Sequence, residues 1–168
     1  MAELWDIVDE HGNWTGRTHE RGKPMQPGDY HLSVSVWIVN ERGEFLISQR
    51  APGRHAAGMW ETTGGAAVAG EDAVTAAVRE VREELGIVLD PEKGRLYKSY
   101  TYPHSDGSGA AYITVWIFRE EVELEDVMLQ PGETCGVMWA DREAIRGLMA
   151  EGRFIPFDYF EDMCGSLE

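Results

Sequence analysis

The most constraining feature of this sequence is the 23-residue stretch from Gly65 to Ile87, which reads GAAVAGEDAVTAAVREVREELGI. It predicts a loop that leads into a helix. Gly64, just before the stretch, and Gly65, its first residue, allow a tight backbone turn, and Gly86 is a typical helix stop. The acidic Glu71 and Asp72 precede the expected helix, where negative charge interacts favourably with the helix dipole.

A helix over this stretch would have two chemically distinct faces. The aliphatic residues fall on one face: Val74, Val78, Val81 and Leu85. Glu80, Glu83 and Glu84 cluster on the nearly opposite face, where like charges one turn apart destabilise the helix unless a cation lies between them. Mg²⁺ and Mn²⁺ prefer oxygen ligands, so these carboxylates suit a metal site. The alternative is a solvated acidic face, which is the usual explanation of a charge run on a helix.

The complete pattern is more specific than the three glutamates. Seven identities and two aliphatic positions stand at fixed spacings: Gly65, Glu71, Arg79, Glu80, Val81, Glu83, Glu84, Gly86 and Ile87. With these residues the stretch resembles the signature box of the Nudix hydrolases, and every defining position is filled. The resemblance is specific over residues 65–87 and extends with weaker patterning over about residues 30–150. It implies an α/β fold, namely the Nudix-type α/β/α sandwich with a mixed β-sheet.

The resemblance also implies a role for each box residue. Three carboxylates are expected to bind Mg²⁺ or Mn²⁺, and one of them also to serve as general base: Glu80, Glu83 and Glu84. The backbone carbonyl of Gly64 is a further candidate metal ligand. Arg79 and Glu71 are expected to pair and to hold the carboxylates in place.

Residues outside the box extend the predicted site. The family often adds a carboxylate from a downstream loop, for which Glu133 is the first candidate and Glu120 and Glu121 are the next; an exposed loop acid is the alternative. Arg50, at a strand end, is either a ligand of a substrate phosphate or an ordinary exposed arginine. Trp60 is a candidate substrate-binding residue; it precedes the box where the family often has a tryptophan and Pro-Gly-Gly, although Thr63 replaces that proline.

Substrate choice is less constrained. Pro103 follows Ile87 by 16 residues, a spacing similar to that of ADP-ribose hydrolases, and the neighbouring Tyr102 is a candidate to stack on a base; turn chemistry explains the proline equally well. The implied activity is Mg²⁺-dependent cleavage of a phosphoanhydride bond of a nucleoside diphosphate linked to another moiety (nucleotide, nucleotide sugar or ADP-ribose). The implied partner is therefore a small-molecule diphosphate.

Two other functions are weighed against hydrolysis. His31 and Trp60-Glu61 look similar to the branch of Nudix proteins related to isopentenyl diphosphate isomerase, which shifts a carbon double bond and uses a cysteine just before its box-like helix. Here the corresponding residues 61–65 contain no thiol, which favours hydrolysis. A non-catalytic Nudix-shaped ligand-binding domain is the third possibility, and it fits poorly with a complete box.

Residues 1–30 are predicted to form a small N-terminal β-hairpin and a loop, and residues 31–168 the Nudix hydrolase domain. The predicted strands and helix of the latter lie at residues 31–40, 44–50, 95–102, 110–118, 136–140 and 141–151, followed by an aromatic tail at 154–163. The hairpin is too small for its own core, and with Leu4, Trp5 and Trp14 it suggests a homodimer contact.

Charge and hydropathy exclude several classes of protein. The net charge of −15 argues against binding a nucleic acid polymer, which requires a basic surface. No apolar run approaches the roughly 18 residues of a membrane span. The acidic N-terminus is unlike a signal peptide, and the cysteines Cys135 and Cys164 lack metal-ligand spacing, so a cytoplasmic protein is expected.

Overall fold

One nine-stranded mixed sheet organises the chain, with helices on both faces. The computed structural model describes residues 1–168. In chain order the elements are β1 (Leu4–Val8), β2 (Trp14–Glu20), β3 (Tyr30–Val39), β4 (Phe45–Arg50), β5 (Trp60–Glu61), β6 (Thr63–Ala66), α1 (Ala73–Leu85), β7 (Arg95–Pro103), β8 (Ala110–Arg119), β9 (Thr134–Ala140), α2 (Arg142–Ala150) and α3 (Phe160–Ser166). Short 3₁₀ turns lie at Pro91–Lys93 and Leu124–Asp126.

Strand β3 is central because both of its edges are paired. Strand β8 runs parallel to it from the pair His31–Ala111 to the pair Val39–Arg119. Three strands share the other edge in succession: β1 at residues 30–31, β6 at residues 33–36 and β4 at residue 39, all antiparallel. Strand β6 carries the start of the box, so this pairing fixes the box against the middle of the sheet.

The period-2 alternation along β3 divides the core into two layers. Val34, Val36 and Ile38 pack towards α1, with Val81 and Leu85 of that helix. On the opposite face, a second cluster contains Trp37, Val39, Phe45, Ile47, Ile145, Phe154, Phe160 and Met163, and thus joins the sheet to α2 and α3. The predicted α/β/α sandwich with a mixed sheet is confirmed.

The predicted N-terminal hairpin is present as β1 and β2, and it extends the main sheet instead of standing apart. Strand β1 joins β3 through the pairs Ile7–His31 and Val8–Tyr30. Trp5 is buried by its own chain, whereas the side chain of Trp14 is 67% exposed. The homodimer contact stays a prediction.

The C-terminal segment differs from the sequence-based prediction. Residues 154–163 were predicted to be a tail, but Phe160–Ser166 forms α3, which buries Phe160, Met163 and Cys164. Its N-cap, Tyr159, makes no side-chain capping hydrogen bond, so the usual sequence signal of a helix start is missing. The predicted Asp141 cap of α2 is confirmed, since its carboxylate accepts from the backbone N–H of Ala144 at 2.8 Å. None of the helices combines the length and the apolar character that crossing a membrane requires.

His31 is a buried titratable group in the first residues of β3. Its ring stacks on Trp5 at a centroid distance of 4.0 Å, and its Nε2 lies 2.9 Å from Nε2 of His104. Burial, followed by the charge of His104 and more weakly those of Arg21 and His19, lowers the pKa of His31 to about 4. The folded protein therefore holds this imidazole neutral through the range in which a free histidine gains a proton.

We expect acid to destabilise the protein through His31. Below the unfolded pKa of about 6.5 the unfolded chain binds a proton at His31, whereas the folded chain binds that proton only below about pH 4. This group alone should lower the free energy of unfolding by roughly 3 kcal/mol across that window. Urea titrations at several pH values measure the free energy of unfolding as a function of pH. The slope of this dependence between about pH 4 and pH 6.5 should be smaller in His31→Phe. The exposed His11, substituted in the same way, is the control, and an unchanged slope in His31→Phe would contradict the assignment.

Candidate active site

Helix α1 and strand β6 build the two walls of the candidate site. Asp72 caps the helix by accepting from the backbone N–H of Thr75 at 2.8 Å, and Gly86 ends it with a left-handed φ of 70°. Strand β6 lies so close to β3 that a Cβ on Gly64 would approach the carbonyl oxygen of Val34 to 2.6 Å. The glycine before the box is therefore required for strand packing, whatever its carbonyl binds.

Arg79 ties the acidic residues of α1 to the preceding loop. Its Nε donates to Glu71 Oε1 at 2.6 Å, and its Nη2 donates to Glu71 Oε2 and to the carbonyl oxygen of Ala66, both at 3.0 Å. Its Nη1 donates to Glu80 Oε1 at 3.0 Å and to Glu83 Oε2 at 3.2 Å. These contacts, with the Glu71 bond strongest, raise the pKa of Arg79. One guanidinium thus fixes three carboxylates relative to one another.

Glu84 is the exceptional carboxylate of the helix. Sequence periodicity placed it on the face opposite the aliphatic residues, with a solvated face as the alternative to a metal site; it is only 7% exposed and lies beside the core residue Leu85. Its Oε2 is buried without a hydrogen-bond partner. Burial raises the pKa of Glu84 to about 8, and the charges of Glu80 and Glu61 add to the effect. A buried carboxylate without a partner is costly, so this site is complementary to a cation or a proton.

Glu80 differs from Glu84 because a cation, Arg79, donates a hydrogen bond to its carboxylate. Burial raises the pKa of Glu80, and the charge and hydrogen bond of Arg79 partly oppose that shift. Glu83 is about half exposed. The carboxylates of Glu80 and Glu83 both contact Arg79. No group of three His, Cys, Asp or Glu side chains is arranged around a common point as metal ligands would be.

A polar cleft of about 400 Å³ opens above these residues. Its lining combines five acids with three arginines: Glu3, Glu80, Glu83, Glu84 and Glu133, and Arg21, Arg54 and Arg79. Glu133 enters from the loop before β9 and pairs with Arg54 at 2.8 Å. We call this space the carboxylate cleft. Gly64, the three box glutamates and Glu133 all line it, and their roles stay predictions.

Three other predicted residues do not line the carboxylate cleft. Arg50 contacts both carboxylate oxygens of Glu61, at 3.0 and 2.8 Å, and the two side chains are only 16% and 15% exposed. Trp60 packs against the core layer of α2 and α3. Tyr102 lies 56% exposed on β7, opposite Ala111. Their substrate-binding roles stay predictions.

The two further candidates for the downstream carboxylate, Glu120 and Glu121, also contact residues outside the carboxylate cleft. Glu120 lies 3.8 Å from the ammonium of Lys93, and Glu121 accepts from the backbone N–H of Glu41 at 2.6 Å. Sequence reasoning missed two arginines of the carboxylate cleft, Arg54 and Arg21. Arg54 follows Arg50 by four residues in a glycine- and proline-containing loop, and Arg21 lies in the N-terminal extension. Neither position has a local pattern that distinguishes it from a surface arginine.

Comparison with known proteins finds a matching family model, related sequences and a similar solved structure. The family model described as the NUDIX domain matches residues 29–161. An uncharacterized Nudix hydrolase of Listeria innocua is 34% identical over 163 residues, which covers 96% of this chain and 93% of that protein. An isopentenyl-diphosphate Delta-isomerase of Streptomyces coelicolor is 40% identical over 157 residues, covering 91% and 78%. The crystal structure of DR0079 from Deinococcus radiodurans superposes with a TM-score of 0.73 at 23% identity, covering 95% and 96%.

Proposed function

The chain belongs to the Nudix hydrolase family, and on that premise we propose that it is a Mg²⁺-dependent pyrophosphohydrolase. Its proposed substrate is a nucleoside diphosphate linked to another moiety (nucleotide, nucleotide sugar or ADP-ribose), and the bond cleaved is the phosphoanhydride. The observation that carries this proposal is the buried Oε2 of Glu84, which has no partner in a cleft that also holds Glu80, Glu83 and Glu133.

The donor set fits a hard divalent cation. The residues that would hold it are Glu80, Glu83 and Glu84, together with the carbonyl oxygen of Gly64, and all four line the carboxylate cleft. Such a cation, when bound, neutralises charge on phosphate oxygens and acidifies water. A cation beside Glu84 would also offset the cost of burying a charged carboxylate, which is the main cause of the raised pKa of Glu84.

The protein's own side chains prepare the cleft for an anion. Arg54 and Arg21 present guanidinium groups to the carboxylate cleft, and a guanidinium matches the oxygens of a phosphate in a two-point contact. The guanidinium of Arg79 already donates hydrogen bonds to Glu71, Glu80 and Glu83. We therefore assign Arg79 to positioning these carboxylates and not to binding substrate. Proton removal from water is assigned to one of the cleft carboxylates, Glu133 among them, because each can accept at a carboxylate oxygen.

The direct test is hydrolysis by the purified protein in Mg²⁺ across nucleoside di- and triphosphates, ADP-ribose, sugar nucleotides and dinucleotides. Chromatography of the products identifies which anhydride is cut. Cleavage of one compound that is lost in Glu84→Gln would support both the class and the site. Absence of turnover together with absence of Mg²⁺ binding by calorimetry would favour the ligand-binding domain.

Isopentenyl diphosphate isomerisation is the second candidate, and the similarity to the Streptomyces coelicolor isomerase favours it. The cysteine positions favour hydrolysis. Cys135 lies with its sulfur 3.5 Å from the carbonyl oxygen of Arg50, Cys164 is buried on the α3 side, and neither lines the carboxylate cleft. Including isopentenyl diphosphate in the panel separates the two, because isomerisation yields dimethylallyl diphosphate and releases no phosphate.

Arg79→Lys should lower kcat about 10- to 100-fold, the range observed when residues that orient metal ligands are replaced. An ammonium group cannot reproduce the planar set of contacts to Glu71, Glu80 and Glu83. Steady-state kinetics on the substrate identified by the panel measures the loss. Arg42→Lys, at an exposed pair with Glu44, is the matched control. Full activity in Arg79→Lys would contradict the positioning role of Arg79.

A further inference from the structure

A second cavity, of about 250 Å³, adjoins the carboxylate cleft at Arg21, which lines both. One wall comes from the N-terminal extension and the other from the loop between β7 and β8. We call it the basic pocket, and its side chains are Trp5, Arg21, Lys23, Met25, His104 and Ser108. Asp106 also lines it.

Two of the three charged side chains that line the basic pocket are the cations Arg21 and Lys23. The chain carries a net charge of −15, yet this small cavity has Arg21 and Lys23 around it, with the imidazole of His104 as a further polar group. Its one acid, Asp106, accepts from the backbone N–H of Ser108 at 2.9 Å. The lining therefore favours an anion where a ligand displaces the exposed partners of the two cations, Glu3 and Glu20.

The walls of the basic pocket are joined by specific contacts. The backbone N–H of Met25 donates to the carbonyl oxygen of Ser108 at 2.7 Å, which links the two loops. The Arg21 guanidinium carbon lies 5.8 Å from the centroid of the Trp5 ring. Trp5 in turn stacks on the buried His31, whose Nε2 lies 2.9 Å from that of His104. The pocket is therefore held by the same side chains that attach the hairpin to β3.

The two cations of the basic pocket are available to a ligand. Arg21 contacts Glu3 at 3.0 Å and Lys23 contacts Glu20 at 2.8 Å, and all four side chains are at least a third exposed. Ion pairs in such surroundings contribute little, so a phosphate dianion can replace the glutamates. Arg21 would then bridge the two cavities, with its planar donors suited to phosphate oxygens.

We propose that the basic pocket binds a phosphate monoester that the substrate carries outside the cleaved anhydride. This inference rests on the proposed function, because it assumes that the carboxylate cleft holds the diphosphate. It narrows the substrate class to nucleoside diphosphate derivatives with an additional phosphate on the far side of Arg21. The N-terminal extension, which lies mostly outside the NUDIX match, would then determine specificity.

Matched dinucleotides test the proposal. NADP⁺ and NAD⁺ differ only in one ribose phosphate, and we expect kcat/KM to favour NADP⁺ roughly tenfold or more, mainly through KM. Lys23→Met should reduce that ratio towards one. Lys93→Met, which removes the same charge from another exposed pair, should preserve it. Equal kcat/KM values in the wild type, or an unchanged ratio in Lys23→Met, would overturn the proposal.

A binding measurement separates this proposal from the proposed hydrolysis. Adenosine 2′,5′-bisphosphate and AMP contain no anhydride, so calorimetry in Mg²⁺ buffer reports on binding alone. Tighter binding of the bisphosphate, lost in Lys23→Met and kept in Lys93→Met, supports the basic pocket even if no compound is hydrolysed. Equal binding of both ligands contradicts the basic pocket even if hydrolysis is observed.

Discussion

Glu84→Gln is expected to leave the protein folded and to lower kcat by about 10² or more. Glutamine keeps the shape of the side chain but removes the negative charge from a buried oxygen that has no other partner. If that oxygen binds the cation, the charge is needed during turnover. Kinetics on the identified substrate, with circular dichroism to establish folding, measures the effect.

The same substitution should affect stability in the opposite direction from activity. In the presence of a chelator, burial and neighbouring carboxylates disfavour a charged Glu84, so the neutral variant should melt at the same temperature or higher. Glu125→Gln, in an exposed 3₁₀ turn, should change neither quantity. A Glu84→Gln enzyme with wild-type turnover at matched folding would rule out the site assignment.

Gly64→Ala is expected to destabilise the protein by roughly 1–3 kcal/mol and to abolish most of its activity. The new methyl would lie 2.6 Å from the carbonyl oxygen of Val34, an atom of the central strand that cannot move aside freely. Strand β6 must shift, and with it the box that follows. Chemical denaturation and turnover together measure the change.

Gly147→Ala provides the matched control. This glycine lies within α2, and a Cβ there would meet no atom within 4 Å. Alanine should therefore stabilise the helix by roughly 0.5–1 kcal/mol, because it restricts the unfolded chain and favours helix. If both alanines had the same small effect, the close approach at Gly64 would have no energetic importance.

Local chemistry explains which features could be predicted from the sequence. The start of α1 at Asp72, its end at Gly86 and the Asp141 cap each depend on a few adjacent residues, and all three are present. The strands with β-branched or apolar runs, such as β3 and β8, were recognised for the same reason. The box was recognisable because its spacing is contained in one loop and one helix.

Features that depend on distant partners could not be predicted. The burial of Glu84 results from its position against the loop before β9, where Gln130 N–H and Thr134 Oγ1 donate to its backbone carbonyl. Periodicity alone does not show what covers a helix face. Arg21 reaches the carboxylate cleft only because β1 pairs with β3, a contact between segments with no shared motif. Helix α3 lacked a capping signal and is held by its aromatic contacts.

The parallel pairing of β3 with β8 also has a consequence for the newly synthesised chain. His31 is the first residue of β3 that pairs with β8, and its partner is Ala111. The ribosome adds Ala111 80 residues after His31, since 111 − 31 = 80. At 5–20 residues per second the ribosome needs about 4–16 s to produce that partner. During this interval the central strand has one uncovered edge, which can pair with another nascent chain. The order of synthesis therefore leaves the strand that organises the mature fold open to such pairing during translation.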